Sequence, residues 1–492
     1  MTLEEILQLQ DIDEKINYLK KARKTEQPNR EVLYNDWNPN KHEIIINKEK
    51  YPQITITLEA ERTVFDEETG KTRTIPAKIK QVDPNRIAIP LEQDIVNIQT
   101  AFTVGEEPLM ECDPSEDEKG LLEALKLVLK KNKIKYQNKK IVRSWLSEQE
   151  CAEYWYVVKD EGFWARLLNK LGVSVKVKPQ NKLKSALWSP FRGDKLYPFF
   201  DDRGDLVALS REYERKNIDD TTEYVFMTVT SEMVYTWKMT SETKEWEETK
   251  FAHKFKKLPV IYCYRPEAYC NKIKTIRIRL EKLLSNYADC IDYHFFPILK
   301  LFGGVDKVSG DFKNRVVELT GQGADAQYLT WNQASETVKL ELDSLIEKAY
   351  SMTHTPRVMP ENLHGLGTSF SGVSFRYMFM GAHLSVENHA EVIGEFMQRR
   401  VNFLVSALGS INTGFEAASN TIDIDVTIQP YMIDSLDDKV NTAIKAVDGH
   451  LWTRREGIMF IGNTDRIDET LKEIEEEMET EQSQNNNKIG FK

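Results

Sequence analysis

The side chains of this 492-residue chain that could do metal or nucleophilic chemistry are eight histidines and five cysteines, and their spacing favours neither. Cys263 and Cys270 stand seven apart with no histidine at ligand spacing, so structural thiols are expected there. His383 and His389 share one helical window but, six residues apart, point to different faces. His354 and His364 fall in one aperiodic stretch and could meet, although a shared metal is not expected. Phosphate-loop, HExxH and CxxC patterns are missing. The run from His364 to Gly372 (HGLGTSFSG) superficially resembles a phosphate cradle ahead of a helix. It has no preceding strand and no lysine, and its glycines do not follow GxGxxG. Ser369 or Ser371 capping the next helix is the simpler reading. No Ser/His/Asp set stands out, so no catalytic residue, metal site or cofactor is expected, and the chain is not read as an enzyme.

Charge is the second source of chemistry. Residues 126–143 (KLVLKKNKIKYQNKKIVR) hold eight basic groups and no acidic one, and residues 468–481 hold eight acidic groups against one lysine. Solvated helix faces account for both, with contact between subunits or with phosphates as the functional alternative. A third set, Lys272, Lys274, Arg277, Arg279 and Lys282, places five bases around Glu281 within 12 residues. On a helix they fall to either side of an apolar stripe, where they can flank a subunit interface and reach a polyanion. The net charge of −11 counts against a simple nucleic-acid coat or repressor. Five widely spaced cysteines point to a reducing compartment, and no apolar run approaches the roughly 20 residues of a membrane span. The acidic, amphipathic start Met1–Glu5 is unlike a signal peptide.

These groups need elements to position them, and the length suggests about three modules. Residues 1–30 read as one helix, and 43–60 and 74–82 as strands with a turn at Glu67–Gly70. A helix over 90–102 stops before Val104-Gly105, and helices over 119–131 and 134–150 follow an acidic loop at 111–118. From 151 to 265 the period changes to two. Tyr154–Val158, Leu206–Arg215, Tyr224–Val229, Met233–Met239 and Glu245–Phe251 read as strands, with hairpin chemistry at Asp202–Asp205. After Pro266, Ile273, Ile276, Leu280, Leu283, Tyr287 and Ile291 form one helical stripe. Residues 297–333 are a glycine-bearing mixed insertion, and Ser335 caps a helix striped by Val338, Leu342, Leu345, Ile346 and Ala349. Residues 353–370, with two prolines and two glycines, form a loop long enough to need a reason. The longest helical pattern runs from Phe375 to Leu408. A strand at 421–428, a helix at 435–448, a short Trp452–Gly457 segment and an acidic helix near 466–481 complete the chain.

The order helix, compact insertion, helix, Pro/Gly loop and very long helix resembles the portal proteins of long-tailed (siphovirus-type) double-stranded DNA bacteriophages. Local runs agree with it. Asn85–Pro90 (NRIAIP) followed by Ala101–Pro108 (AFTVGEEP) is similar to the family's N-terminal FxxGxxP run. Lys256–Ile261 (KKLPVI) looks like the strand that leads into a first stem helix. Thr355-Pro356 and Ser371–Ser374 (SGVS) match the loop and the start of the long helix, and Gly449–Glu456 (GHLWTRRE) the approach to a C-terminal crown. The resemblance covers nearly the whole chain. It departs from the family in the length and lysine content of 126–143 and in the sequence of the insertion.

The resemblance implies an α+β portal fold with wing, helical stem, small α/β clip and helical crown, assembled as a ring of about twelve copies. It places the wing over 1–265 (α-rich start, β-rich 151–265), stem helix 1 over 266–296, the clip over 297–334 and stem helix 2 over 335–352. A tunnel loop over 353–370, a long wing helix and strand over 371–434 and a crown over 435–492 follow. The implied function is a channel at one capsid vertex for packaging, retention and ejection of double-stranded DNA. A separate ATP-consuming terminase would drive the DNA, which suits a chain without a phosphate loop. Implied partners are further copies of the chain, the DNA, the terminase large subunit, then head-completion or connector proteins, and the major capsid and scaffolding proteins, with no membrane. Assembly in the host cytoplasm and residence in the virion follow. Expected DNA contacts are His354, Arg357, Asn362 and His364, with Gly365 and Gly367 giving the loop mobility, joined by Lys272, Lys274, Arg277, Arg279 and Lys282 of the stem. Lys307, Lys313 and Arg315 are the expected docking groups of the clip. A non-DNA oligomeric scaffold, and a phosphate-substrate enzyme working through 364–372, are the alternatives.

Overall fold

The computed structural model describes residues 1–59, 61–66, 71–160, 180–242, 244–294, 298–309, 316–329, 334–357, 379–431, 436–462, 467 and 469–477. Helices and sheets are mixed, and every described strand pair is antiparallel. The chain forms two compact units, one of Met1–Pro356 with Leu384–Pro430 and one of Arg357–His383 with Tyr431–Lys492.

The first unit opens with two helices, Leu3–Gln8 and Ile12–Lys21, where periodicity suggested one. Asp11 breaks the run because its carboxylate accepts from Asp13 N and caps the second helix, while Thr2 and Glu5 close a capping box on the first. Ile6, Ile16 and Leu19 then bury against Phe226 and Trp237 of a five-stranded meander, Lys195–Phe200, Leu206–Lys216, Thr222–Thr230, Met233–Thr240 and Trp246–Ala252. The expected turn joins its first two strands: Asp205 N donates to Asp201 Oδ1 and Gly204 takes a φ of +92°. Lys195–Phe200 escapes a period-two reading because Pro198 interrupts it, and proline is tolerated here because this is the meander's edge strand. A three-stranded sheet of Val260–Tyr264, Glu150–Asp160 and Gln180–Trp188 packs Ala152, Trp188 and Val260 onto Leu196, Leu209, Val229 and Val234. Each large side chain in this seam contributes about 1.5–3 kcal/mol of burial, which holds the β-rich half together.

Three expected boundaries move. Residues 43–46 are a helical turn, Glu43–Ile46, and the strand starts only at Ile54 and pairs with Lys78–Val82. The buried His42 beside that turn is bonded to Glu281, which commits it to the helical layer. The strand expected over 421–428 contracts to Asp425–Thr427, paired with Leu109–Glu111, because Ala418–Thr421 is still helical. The helix assigned a Ser335 cap already begins at Ala334. Between the helices Lys274–His294 and Ala334–Met352, the described residues of the insertion are two paired strands, Ile298–Ser309 and Val316–Leu329. No helix lies among them. The long helix is Met380–Ile411, about 48 Å at 1.5 Å per residue. Its expected start at Phe375 lies outside the described residues.

In the second unit, Leu436–Asp448 packs on Arg454–Ile461, which Thr453 and Glu456 cap. Gly457 permits the close approach, since a Cβ there would sit 3.0 Å from Val447 Cγ2. The acidic stretch is helical over residues 469–477. Among the described residues no helix is long and apolar enough to cross a membrane.

Candidate functional site

The expected tunnel loop starts at Thr353, and its root is buried. Ala334–Met352 ends in a Schellman turn: Thr355 N donates to Tyr350 O (2.9 Å) and His354 N to Ser351 O (3.0 Å). His354 is the left-handed residue that closes it, with φ +48°. Two other elements bond to the carbonyl of Thr353, a residue with 0% exposure, and a third braces one of them. Gln99, buried on the helix Leu91–Val104, donates its Nε2 to Thr353 O (3.0 Å) and to Thr355 Oγ1 (2.8 Å). Tyr269 OH, from the 3-10 turn Tyr269–Ile273, donates to the same carbonyl. Ser385 on Met380–Ile411 donates to Gln99 Oε1 (3.0 Å). Both lone pairs of the Thr353 carbonyl are therefore used.

One helical turn on from Gln99 and Ser385, Thr103 and His389 meet at 3.1 Å, so two i,i+4 pairs form a polar lattice between the helices. His389 packs edge-on against Trp145 and Tyr269. Burial first, then the Arg265 and Lys272 cations, push its pKa down to about 3, and the ring stays neutral. Tyr350 adds a bond to Asp94 on the same helix as Gln99. The loop thus leaves a fixed stub.

A second arrangement lines the helix Lys274–His294. Asn85 N donates to Asp289 Oδ1 (2.7 Å), Ile87 N to Ser285 Oγ (2.9 Å) and Ile89 N to Glu281 Oε1 (3.0 Å). Every second residue of the NRIAIP run meets every fourth residue of the helix. An extended chain advances about 6.6 Å in two residues and a helix about 6 Å in four, so the two repeats nearly coincide. Arg86, facing the other way, donates to Ile45 O and Tyr51 O.

The five stem bases divide sharply. Arg277 is 2% exposed and shared among Asp36, Glu92 and Glu281, Lys274 pairs with Asp36 at 2.6 Å, and Arg279 pairs with Glu341 at 2.7 Å. The expectation that all five reach a polyanion is corrected for Arg277, which is enclosed because the buried carboxylates around it need a cation. Lys282 is exposed, and the exposed Lys272 places its ammonium 4.4 Å from the Tyr269 ring. In the loop, His354 and Arg357 are exposed, while Asn362, His364, Gly365 and Gly367 lie outside the described residues, as does all of 364–372. Lys307 stands opposite Glu318 in the strand register, and Lys313 and Arg315 lie outside the described residues.

Cys263 faces Cys151 across two strands, with the thiols 3.4 Å apart and buried; burial also pushes the Cys151 thiol up. Within 126–143, Lys126, Lys130, Lys131, Lys133, Lys135, Lys140 and Arg143 are exposed. Sequence reasoning did not single out Gln99 or Glu92. Their signal was a polar residue on an otherwise apolar helical face, beside Ile95, Val96 and Phe102.

Residues 10–484 match the model of a family described as phage portal protein, SPP1 Gp6-like. No curated protein matches the chain. Among solved structures, it is similar to a chain from the neck of an empty GTA particle computed with C6 symmetry, with 10% identity, 76% of this chain and 90% of that chain covered, and a TM-score of 0.40. A chain from the virion of a native gene transfer agent (GTA) particle is similar at 9% identity, with the same coverage and a TM-score of 0.38.

Proposed function

This chain belongs to the SPP1 Gp6-like family of phage portal proteins, and from that premise we propose that it forms a ring of about twelve copies at one capsid vertex, held between capsid and scaffolding proteins during assembly. Double-stranded DNA is packaged, retained and ejected through the ring's channel. The terminase large subunit docks on residues 297–334 during packaging, and a head-completion or connector protein docks there afterwards, with Lys307, Lys313 and Arg315 as contacts. The ring assembles in the host cytoplasm and stays in the virion.

The observation that carries this reading is the family match over nearly the whole chain, residues 10–484. The loop root supports it. A loop that touches a moving duplex needs a fixed pivot, and the stub held by Gln99, Tyr269 and Ser385 supplies one. DNA contacts then come from His354, Arg357, Asn362 and His364, with Gly365 and Gly367 as the loop's mobile points. Charge supports it as well: many unopposed bases would grip phosphates, and here Lys274, Arg277 and Arg279 are neutralised within the chain. Deleting residues 360–367 is expected to leave rings visible by negative-stain microscopy and to abolish packaging. Parental packaging by that variant, or a purified protein that shows only monomers or filaments, overturns the reading.

A further inference from the structure

Lys274, Arg277 and Arg279 are neutralised inside the chain, but the corner between the helices Glu116–Lys131 and Ile134–Glu148 is not. Lys126, Lys130, Lys131, Lys133 and Lys140 are exposed there, and none forms an ion pair among the described residues. Lys135 reaches Glu107 at 3.8 Å and Arg143 donates to Asn97, so two further bases are engaged and the rest stand open. The fold adds one from far along the chain. Asn132 Nδ2, at the corner, donates to Leu183 O (3.0 Å) of the edge strand Gln180–Trp188, which brings the exposed Lys184 alongside. Along the helices, Lys126 and Lys130, Lys135 and Lys139, and Lys139 and Arg143 are like-charged i,i+4 pairs, each of which weakens its helix. A polyanion laid on this surface removes that repulsion.

We propose that this patch receives the acidic stretch 468–481 of a neighbouring copy, a contact that rests on the ring proposed above. The two runs are opposite in sign: eight acids against one lysine meet eight bases without an acid. Residues 469–477 are helical, with Glu473, Glu475 and Glu477 exposed. That helix runs about 12 Å, and Lys133 to Lys140 covers about 10.5 Å, so carboxylates and ammoniums pair along matched lengths. Leu127 and Tyr136, exposed at 50% and 64% among the lysines, give a protein helix apolar footing that a phosphate backbone does not use. A nucleic acid is disfavoured on a second count, because a ring of chains each at −11 repels it. Exposed ion pairs are weak singly, but several act together here, and a segment carried by the adjoining chain is held at high local concentration.

The test uses the full chain and a water-soluble carbodiimide, which joins a lysine amine to a glutamate carboxylate as an amide and leaves as a urea. Two copies are co-expressed, one marked by Tyr136→Phe in the basic run and the other by Ile474→Val in the acidic run. Mass spectrometry then reads the linked peptides. A link that joins the two marked peptides forms only between copies, and such links are expected in rings. Placed in both copies, Lys126→Glu, Lys130→Glu and Lys140→Glu together, or Glu473→Lys, Glu475→Lys and Glu477→Lys together, lower their yield about tenfold, since three exposed pairs are lost at once. Circular dichroism and melting temperature stay at parental values. Combining both sets in one chain restores the yield with amine and carboxylate exchanged. The marked copies alone decide the outcome if charge reversal disturbs folding. Rings without a link between the two runs, rings in which marked peptides join only unmarked ones, or a combined set that stays at the lowered yield overturn this proposal and leave the ring reading intact. Chains that show no rings by negative-stain microscopy overturn both.

Discussion

Two of the eight histidines act as helix stops. His354 and His450 take φ of +48° and +55° at the left-handed position of a Schellman turn; in the second, Leu451 N donates to Ala446 O and His450 N to Val447 O. A side chain there costs about 1 kcal/mol against glycine. His354→Gly is therefore expected to raise stability by about 0.5–1 kcal/mol in urea unfolding. If the imidazole also touches DNA, packaging falls in the same variant, which separates the two roles. Two buried groups pull against each other with pH. His389 sits at about 3 instead of 6.5, so the unfolded chain takes the extra proton and stability falls as pH drops from 6.5 toward 3. Glu92 sits at about 7 instead of 4.5, so the folded chain holds a proton the unfolded one has lost, and stability falls as pH rises from 4.5 to 7. Melting temperature against pH is expected to flatten on the acid side in His389→Phe and between 4.5 and 7 in Glu92→Gln.

At the scale of elements, the loop root is where four pieces of chain share one hydrogen-bond group. Gln99→Leu keeps the volume but strips the Thr353 carbonyl and the Thr355 hydroxyl of a donor, an expected loss of about 2 kcal/mol. Hydrogen exchange of the 350–357 amides should accelerate in that variant before the meander strands respond. Little of this root was legible in the sequence. Gln99 and Thr353 are 254 residues apart, and His42 and Glu281 239. A periodicity window sees neither partner. Where a local pattern decides the outcome, the reading succeeded: four of the five meander strands, the Asp202–Asp205 hairpin and the stripe from Ile273 all follow from neighbouring residues. Where a single polar side chain intervenes, as Asp11 does by capping Ile12–Lys21, hydrophobic spacing runs straight through the break.

For the whole molecule, the acidity that counted against nucleic-acid work fits a conduit. A dozen copies of a chain with net charge −11 would carry on the order of −130, a field that keeps DNA from adhering. The 360–367 deletion is informative for the same reason. That segment (PENLHGLG) contains one formal charge, Glu361, and no lysine or arginine, so its removal tests reach and contact with the total field almost unchanged. The bonds from Asn85, Ile87 and Ile89 to the Lys274–His294 helix carry a mechanical consequence. Two rulers with marks about 6.6 and 6 Å apart part by about 0.6 Å at each interval, about 1.2 Å over three marks, which side-chain reach absorbs, and by more at each further one. Such a vernier has one position where all marks engage together. Sliding the helix along its own axis must strain all three contacts together, so the segment works as a detent against axial load on that helix.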